Sequence, residues 1–209
     1  MNIGKFITLE GGEGGGKSTQ AKRLASYLDS LGKRVLLTRE PGGSPGAEDI
    51  RQLLVSGDPN RWDAMTEALL HTAARRDHLN RTVRPALQQG QWAISDRYVD
   101  STLAYQGIGH GLGIEKILEL HRIANDGFMP DLTLVLDLPV EEGLKRAGSR
   151  GGDEDRYERM DVDFHNRLRR GFLDIAARDP DRCRLVDATK DVDTVAEQIQ
   201  NIVAGKFDL

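Results

Sequence analysis

Eight residues near the amino terminus have the types and the spacing to hold a triphosphate. Gly11-Gly12-Glu13-Gly14-Gly15-Gly16-Lys17-Ser18 fits the pattern Gly-x-x-x-x-Gly-Lys-Ser/Thr, and Thr19 follows. Glycines let backbone N–H groups turn inward and approach phosphate oxygens without Cβ collisions. A helix opening near Lys17 adds the positive end of its dipole. Lys17 is then placed to reach the β- and γ-phosphates, and the Ser18 hydroxyl to reach Mg²⁺. A second set of charged groups lies at the ends of later strands. Arg39 and Arg97 carry planar guanidinium groups suited to a second phosphate. Asp96 and Asp137 each end an apolar strand, and from pattern alone either suits the metal.

These groups need a scaffold that brings strand ends together. Phe6-Ile7-Thr8-Leu9 reads as a β-strand before the glycine loop. Ala21, Leu24, Ala25, Leu28 and Leu31 recur at helical spacing after it, and Gly32 supplies the stop. Further strands are expected at Arg34–Thr38, Trp92–Ser95, Leu132–Leu136 and Arg184–Val186. Helical patterns separate them: Ala47–Val55, Thr66–Gln89 with Pro85 opening a second helix, Ile114–Asn125, Val140–Ala147, Val162–Arg178, and a last one from Val192. The residues from Asp96 to Gly107 read as a loop. Strands alternating with helices predict an α/β fold, a five-stranded parallel sheet with helices on both faces and ligands beyond the carboxyl ends of the strands. The Arg146–Arg159 stretch is rich in Arg, Gly and Asp. It predicts a mobile lid in which Gly148, Gly151 and Gly152 hinge while Arg146, Arg150 and Arg156 close onto phosphates.

The bulk properties agree with one domain spanning residues 1–209. The chain is 38% hydrophobic and 30% charged with a formal net charge of −4, so no global pull toward nucleic acid or an anionic membrane is expected. Apolar runs are too short to span a bilayer. The single cysteine, Cys183, excludes an internal disulfide and a cysteine metal cluster. A small buried residue at the start of a strand is the expected role for it. A cytoplasmic protein is expected.

Three segments together carry a more specific signal: Phe6 to Thr19, Thr38-Arg39-Glu40-Pro41-Gly42-Gly43, and Asp96-Arg97-Tyr98 with Ser101, Ala104, Tyr105 and Gln106. In these the chain resembles the bacterial thymidylate kinases, P-loop nucleoside monophosphate kinases that phosphorylate dTMP. The resemblance covers nearly the whole chain. It implies that Gly11 to Thr19 hold ATP and Mg²⁺, with Glu13 near the dTMP 3′-hydroxyl. It implies that Arg39 and Arg97 clamp the dTMP phosphate, that Arg75 meets thymine O4, and that Thr102 and Gln106 face the N3 and O2 edge. Tyr105 then packs under the sugar, and Ser101 belongs to the same substrate wall. Asp155 and Tyr157 contact the nucleotide after the lid, and Glu158 is a metal-shell or lid partner; Ser18, Asp96 and Glu158 are the metal-shell candidates, and which carboxylate touches Mg²⁺ directly stays open. Where some members carry an arginine in the phosphate loop this chain has Gly14, which shifts the catalytic arginine to the lid, Arg150 foremost. Where the family stacks a phenylalanine on thymine, this chain has His71. A homodimer is also implied.

The acceptor in that reaction is a phosphate oxygen, largely dianionic at neutral pH. It needs no general base, so alignment and charge stabilisation by Lys17, Mg²⁺ and the arginines are the protein's tasks. Two rival readings are a kinase of the same fold with another acceptor and a regulatory nucleotide switch. The guanine-reading Asn-Lys-x-Asp signature of such switches is absent from the sequence. A nucleic-acid-binding ATPase is disfavoured by charge and by the lack of a basic stripe with aromatics.

Overall fold

The computed structural model describes residues 3–58, 60–148 and 156–209. Five parallel strands, β1 (Phe6–Glu10), β2 (Val35–Arg39), β3 (Trp92–Asp96), β4 (Leu132–Asp137) and β5 (Cys183–Asp187), lie in the order β2-β3-β1-β4-β5. The helices are α1 (Lys17–Ser30), α2 (Pro45–Val55), α3 (Ala64–His78), α4 (Arg84–Gln88), α5 (Val99–Thr102), α6 (Ile114–Asn125), α7 (Val140–Gly148), α8 (Val162–Arg178) and α9 (Val192–Phe207). The inner strands β1 and β4 are buried almost end to end, whereas the edge strand β2 has no fully buried residue and β5 buries only Cys183 and Val186. That is the signature of a parallel sheet covered on both faces.

The pleat divides the core. Ile7 and Leu9 point toward α1 and α9, where Leu24, Leu28, Val195 and Ile199 complete one cluster. Phe6 faces the other side, with Tyr98, Leu79, Phe164 and Phe172. Cys183 opens β5 in the core, and burial pushes its thiol up to about 12, so it is packing material rather than a nucleophile.

Two helical stretches contain π-helical turns that the sequence pattern does not predict. Pro85 stands in the first turn of α4, and α3 reaches α4 through a π-helical turn, Leu79–Val83, rather than through a break. Proline lacks an N–H and its ring collides with the carbonyl four residues back, and a wider turn relieves both. The expected loop after β3 is helical from Val99, with α5 continuing into a second π-helical turn at Leu103–Gly109. That turn carries Tyr105 and Gln106.

Strand register sets the site. Arg39 pairs with Asp96 across β2 and β3, and Asp96 pairs with Leu9 across β3 and β1. The ends of three adjacent strands therefore lie level beside the glycine loop.

Candidate functional site

A cleft of about 370 Å³ opens at the carboxyl ends of the strands. At one end its wall is the loop Glu13–Gly16 with Lys17 and Ser18; at the other it is His71, Arg75, Thr102, Tyr105 and Gln106; Arg39, Asp96 and Arg97 lie between. Ser101, Tyr157 and Glu158 also line it. Gly11 and Gly12 instead border a cavity of about 20 Å³ behind the loop, beside Asp137 and Arg169. Thr19 is exposed on α1 and lies outside the cleft wall. Arg150 and Asp155 lie outside the described residues.

The loop owes its shape to close backbone contact. Gly16 precedes α1 with φ of 83°, and Gly14 has φ of 68°. A Cβ on Gly14 would sit 2.0 Å from the Gly143 carbonyl oxygen of α7. No side chain, arginine included, fits there while α7 keeps this position. Lys17 folds over the loop, donating to the carbonyls of Gly12 at 2.7 Å and Gly11 at 3.2 Å. Burial, reinforced by Arg97, lowers its ammonium to about 8 despite Glu13 and Asp96 nearby.

The two candidate metal aspartates have different surroundings. Ser18 Oγ donates to Asp96. Asp137 instead receives both prongs of Arg169, at 2.7 and 2.9 Å, behind the loop. Hard oxygens at Ser18 and Asp96 suit Mg²⁺, which takes few protein ligands and keeps water and phosphate oxygens. Among the described residues no cluster of three or more His, Cys, Asp or Glu forms a ready-made metal cage.

Arg97 is the hub between the two ends. It donates to the Gly11 carbonyl, Ser101 Oγ and Tyr105 Oη at 3.0 Å each, and pairs with Glu13 at 2.9 Å. Its backbone is left-handed at φ 72°, a strained state for a side chain of this size that persists because its neighbours over-determine it. Burial opposes its charge, but Tyr105, Glu13, Asp96 and Glu10 outweigh that and raise its pKa. Burial likewise works against the Glu13 carboxylate, but Arg97 and then Lys17 hold it down to about 2. Glu10, beneath, behaves oppositely: burial and Asp100 raise it to about 8. Arg39 is more exposed and pairs with Glu48 at 3.1 Å.

At the far end the positioning groups are buried carboxylates. Glu40 accepts from Arg75 Nε at 2.8 Å and contacts His78 Nδ1 at 2.9 Å, while Arg75 also donates to Thr102 Oγ1 at 2.9 Å. His78 Nε2 contacts Thr38 Oγ1 at 2.8 Å. A Cβ on Gly43 would fall 2.5 Å from that ring, which explains the glycine after Gly42. His71 contacts Tyr157 Oη at 2.9 Å, and burial with Arg75 and Arg156 lowers it to about 3. It is therefore a neutral ring at physiological pH.

One lid expectation fails on described residues. Arg156 is not poised over phosphates: it is 2% exposed, pairs with Glu67 at 2.5 Å and donates to the Leu54 and Asp58 carbonyls at 3.1 Å each. A guanidinium so committed ties this part of the chain to α2 and α3. Arg146 contacts Glu142 and the Ala188 carbonyl.

Sequence reasoning gave no site role to Arg51, Glu40 or Glu67. Arg51 lines the cleft and donates to the Pro41 carbonyl at 2.7 Å. A signal existed, since Arg51 falls on the inward stripe of α2 defined by Ala47, Leu54 and Val55. Glu67, His71 and Arg75 recur every four residues, one polar face of α3 turned inward.

A parallel sheet in this order with a glycine-rich loop after β1 and a helix on it defines a P-loop kinase fold. A family model described as thymidylate kinase matches residues 9–199. Curated thymidylate kinases of Caulobacter vibrioides, 51% identical over the full length of both chains, and of Ruegeria pomeroyi, 50% identical over 96% of this chain and 94% of that one, are among its relatives. The crystal structure of thymidylate kinase from Ehrlichia chaffeensis superimposes with a TM-score of 0.77 at 33% identity, covering 96% of this chain and 99% of the other. The chain belongs to the thymidylate kinase family.

Proposed function

We propose that the protein transfers the γ-phosphoryl group of ATP to the phosphate of dTMP, releasing ADP and dTDP, a step in dTTP supply. The observation that carries this is one continuous cleft lined by the glycine loop, by Arg39 and Arg97, and by the polar side chains of Arg75, Thr102 and Gln106. The loop from Gly11 to Thr19 holds the donor phosphates, and Lys17 leaves its loop carbonyls to meet them. Ser18 and Asp96 hold Mg²⁺, with Glu158 facing them from the post-lid side; the metal, when bound, offsets phosphate charge. Arg39 and Arg97 draw the acceptor phosphate against its repulsion from the donor, so the two anions meet in line. Glu13 and Tyr105 fix Arg97 for this and border the sugar. Arg150 supplies further charge from the lid, and Asp155 and Tyr157 close on the nucleotide. His71, neutral, stacks on the thymine while Arg75 meets its O4, Thr102 and Gln106 its N3 and O2 edge, and Ser101 braces Arg97.

The test is ADP production from Mg-ATP with dTMP, dUMP, AMP, CMP, GMP and shikimate. Strong dTMP dependence with weak dUMP turnover is expected, because one methyl group in a fitted pocket is worth ~1–3 kcal/mol. Turnover only with another acceptor refutes the substrate assignment.

We also propose that residues 1–209 act as one domain, in the cytoplasm, as a homodimer. Among the described residues no helix is long and apolar enough to cross a membrane. Leu69 on α3 and Ile123 on α6, two helices that pack together, are 49% and 66% exposed. Exposed leucine and isoleucine on adjacent helices suit a self-complementary apolar contact. Sedimentation of the purified protein as a monomer at micromolar concentration refutes the dimer.

A further inference from the structure

Glu67 is the buried polar centre behind the base end of the cleft. It lies in the first turn of α3, 1% exposed, on the helix face that carries His71 and Arg75. One oxygen accepts from Gln106 Nε2 at 2.6 Å, and the other pairs with Arg156 at 2.5 Å. His110 Nε2 is 3.6 Å from the first oxygen. A carboxylate bound to a guanidinium accepts hydrogen bonds and does not donate them. Gln106 can therefore offer it only the NH₂ end of its amide. The amide is planar, so the carbonyl oxygen is the end left for the cleft, which Gln106 lines beside Thr102 and Arg75.

We propose that Glu67 is a positioning and specificity-determining residue: it locks the Gln106 amide with its carbonyl oxygen toward the acceptor base, so the cleft selects a pyrimidine bearing an N3–H. This rests on the reading of the cleft as a dTMP site. Thymine and uracil have that donor. Cytosine presents a lone pair at N3 and meets oxygen against lone pair. Arg75 discriminates separately at C4, through a geometry fixed by Glu40, so the two buried glutamates divide the base edge between them. An amide without a fixed partner turns over easily, since its two ends are nearly the same shape. Only a neighbour with a fixed role breaks that symmetry, and Glu67 has one because Arg156 holds its other oxygen.

The test is the ratio of kcat/KM for dTMP to that for dCMP. In E67Q the new amide can donate as well as accept, so Gln106 is free to turn. The ratio is expected to fall about 10-fold, as for one mispaired hydrogen bond, with KM for ATP changed less than about 2-fold. A purely structural loss would lower both acceptors together. A folded E67Q with the wild-type ratio overturns the proposal. E67Q also takes a partner from Arg156, so Q106M provides a route that leaves Glu67 in place. Its ratio is expected to fall similarly, and the E67Q/Q106M double variant to fall no further. A wild-type ratio in Q106M, or additive losses in the double variant, overturns the proposal. Absence of dTMP turnover by the wild-type protein is a different failure, and overturns the functional reading together with this one.

Discussion

At the phosphate end of the cleft the wall is backbone: a glycine loop pressed against α7, with Gly14 and Gly143 so close that no Cβ fits between. At the base end the wall is side chains, two of them held by buried glutamates, Arg75 by Glu40 and Gln106 by Glu67. Backbone sites read phosphates, which every nucleotide has. Side-chain sites read base edges, which differ. The contrast explains why the phosphate end depends on local conformation and the base end on residues brought from distant parts of the chain, Glu40 meeting Arg75 and Glu67 meeting Gln106 and Arg156. Arg97 belongs to both, tied to Gly11 on one side and to Tyr105 on the other.

The largest effect is expected where the two ends meet. In the proposed mechanism Arg97→Ala removes the charge that offsets repulsion between donor and acceptor. It is expected to lower kcat by roughly 10²–10³, as for loss of one preorganised charge-stabilising group, while ATP affinity stays nearly intact. Near-wild-type turnover takes Arg97 out of the site. The backbone nature of the phosphate end is tested by Gly14→Ala. A methyl group facing the Gly143 carbonyl, on a left-handed backbone, is expected to cost ~3 kcal/mol in a denaturant melt and to raise KM for ATP more than KM for dTMP. A neutral substitution would mean that α7 yields easily and that the loop is not held from behind.

Charge separates the two ends as well. With its pKa lowered to about 8, Lys17 is partly deprotonated in the free protein above that pH. A triphosphate beside it favours the ammonium and raises its pKa, so ATP binding takes up a proton near pH 8 and little near pH 6. Calorimetry in buffers of different ionisation enthalpy measures this, and proton release there would contradict the assignment. At the base end the smallest effect is expected. His71, lowered to about 3, stays neutral through the working range. His71→Phe should therefore change KM for dTMP less than about 3-fold and leave the pH profile between 5 and 8 unmoved. A profile that loses an inflection near 6 would show that His71 titrates.

The same contrast governs what the sequence discloses. The glycine loop, its strand and its helix are contiguous, so spacing alone gives them. The five strands and the long helix Val162–Arg178 are legible because burial imposes a period. Glu40 and Glu67 are not legible in that way, because a carboxylate in a helix or loop looks solvated until its partner arrives from elsewhere. Arg156 misleads for the same reason: an arginine after a glycine-rich stretch suggests a phosphate contact, but Glu67, far away in sequence, claims it. Asp96 and Asp137 look alike in sequence and differ in their surroundings. β3 places Asp96 level with Arg39, whereas Arg169 of α8 occupies Asp137. The π-helical turn at Leu103–Gly109 was hidden because its residues include two glycines, and Gly107 and Gly109 read as breakers.

The central claim is that one cleft holds donor and acceptor phosphates together. Inhibition by adenosine and thymidine joined 5′ to 5′ through five phosphates tests it most directly. The account predicts competition with both ATP and dTMP, and affinity above that of either substrate because one molecule spans both ends. Competition with ATP alone, with dTMP still binding to the inhibited protein, would contradict it.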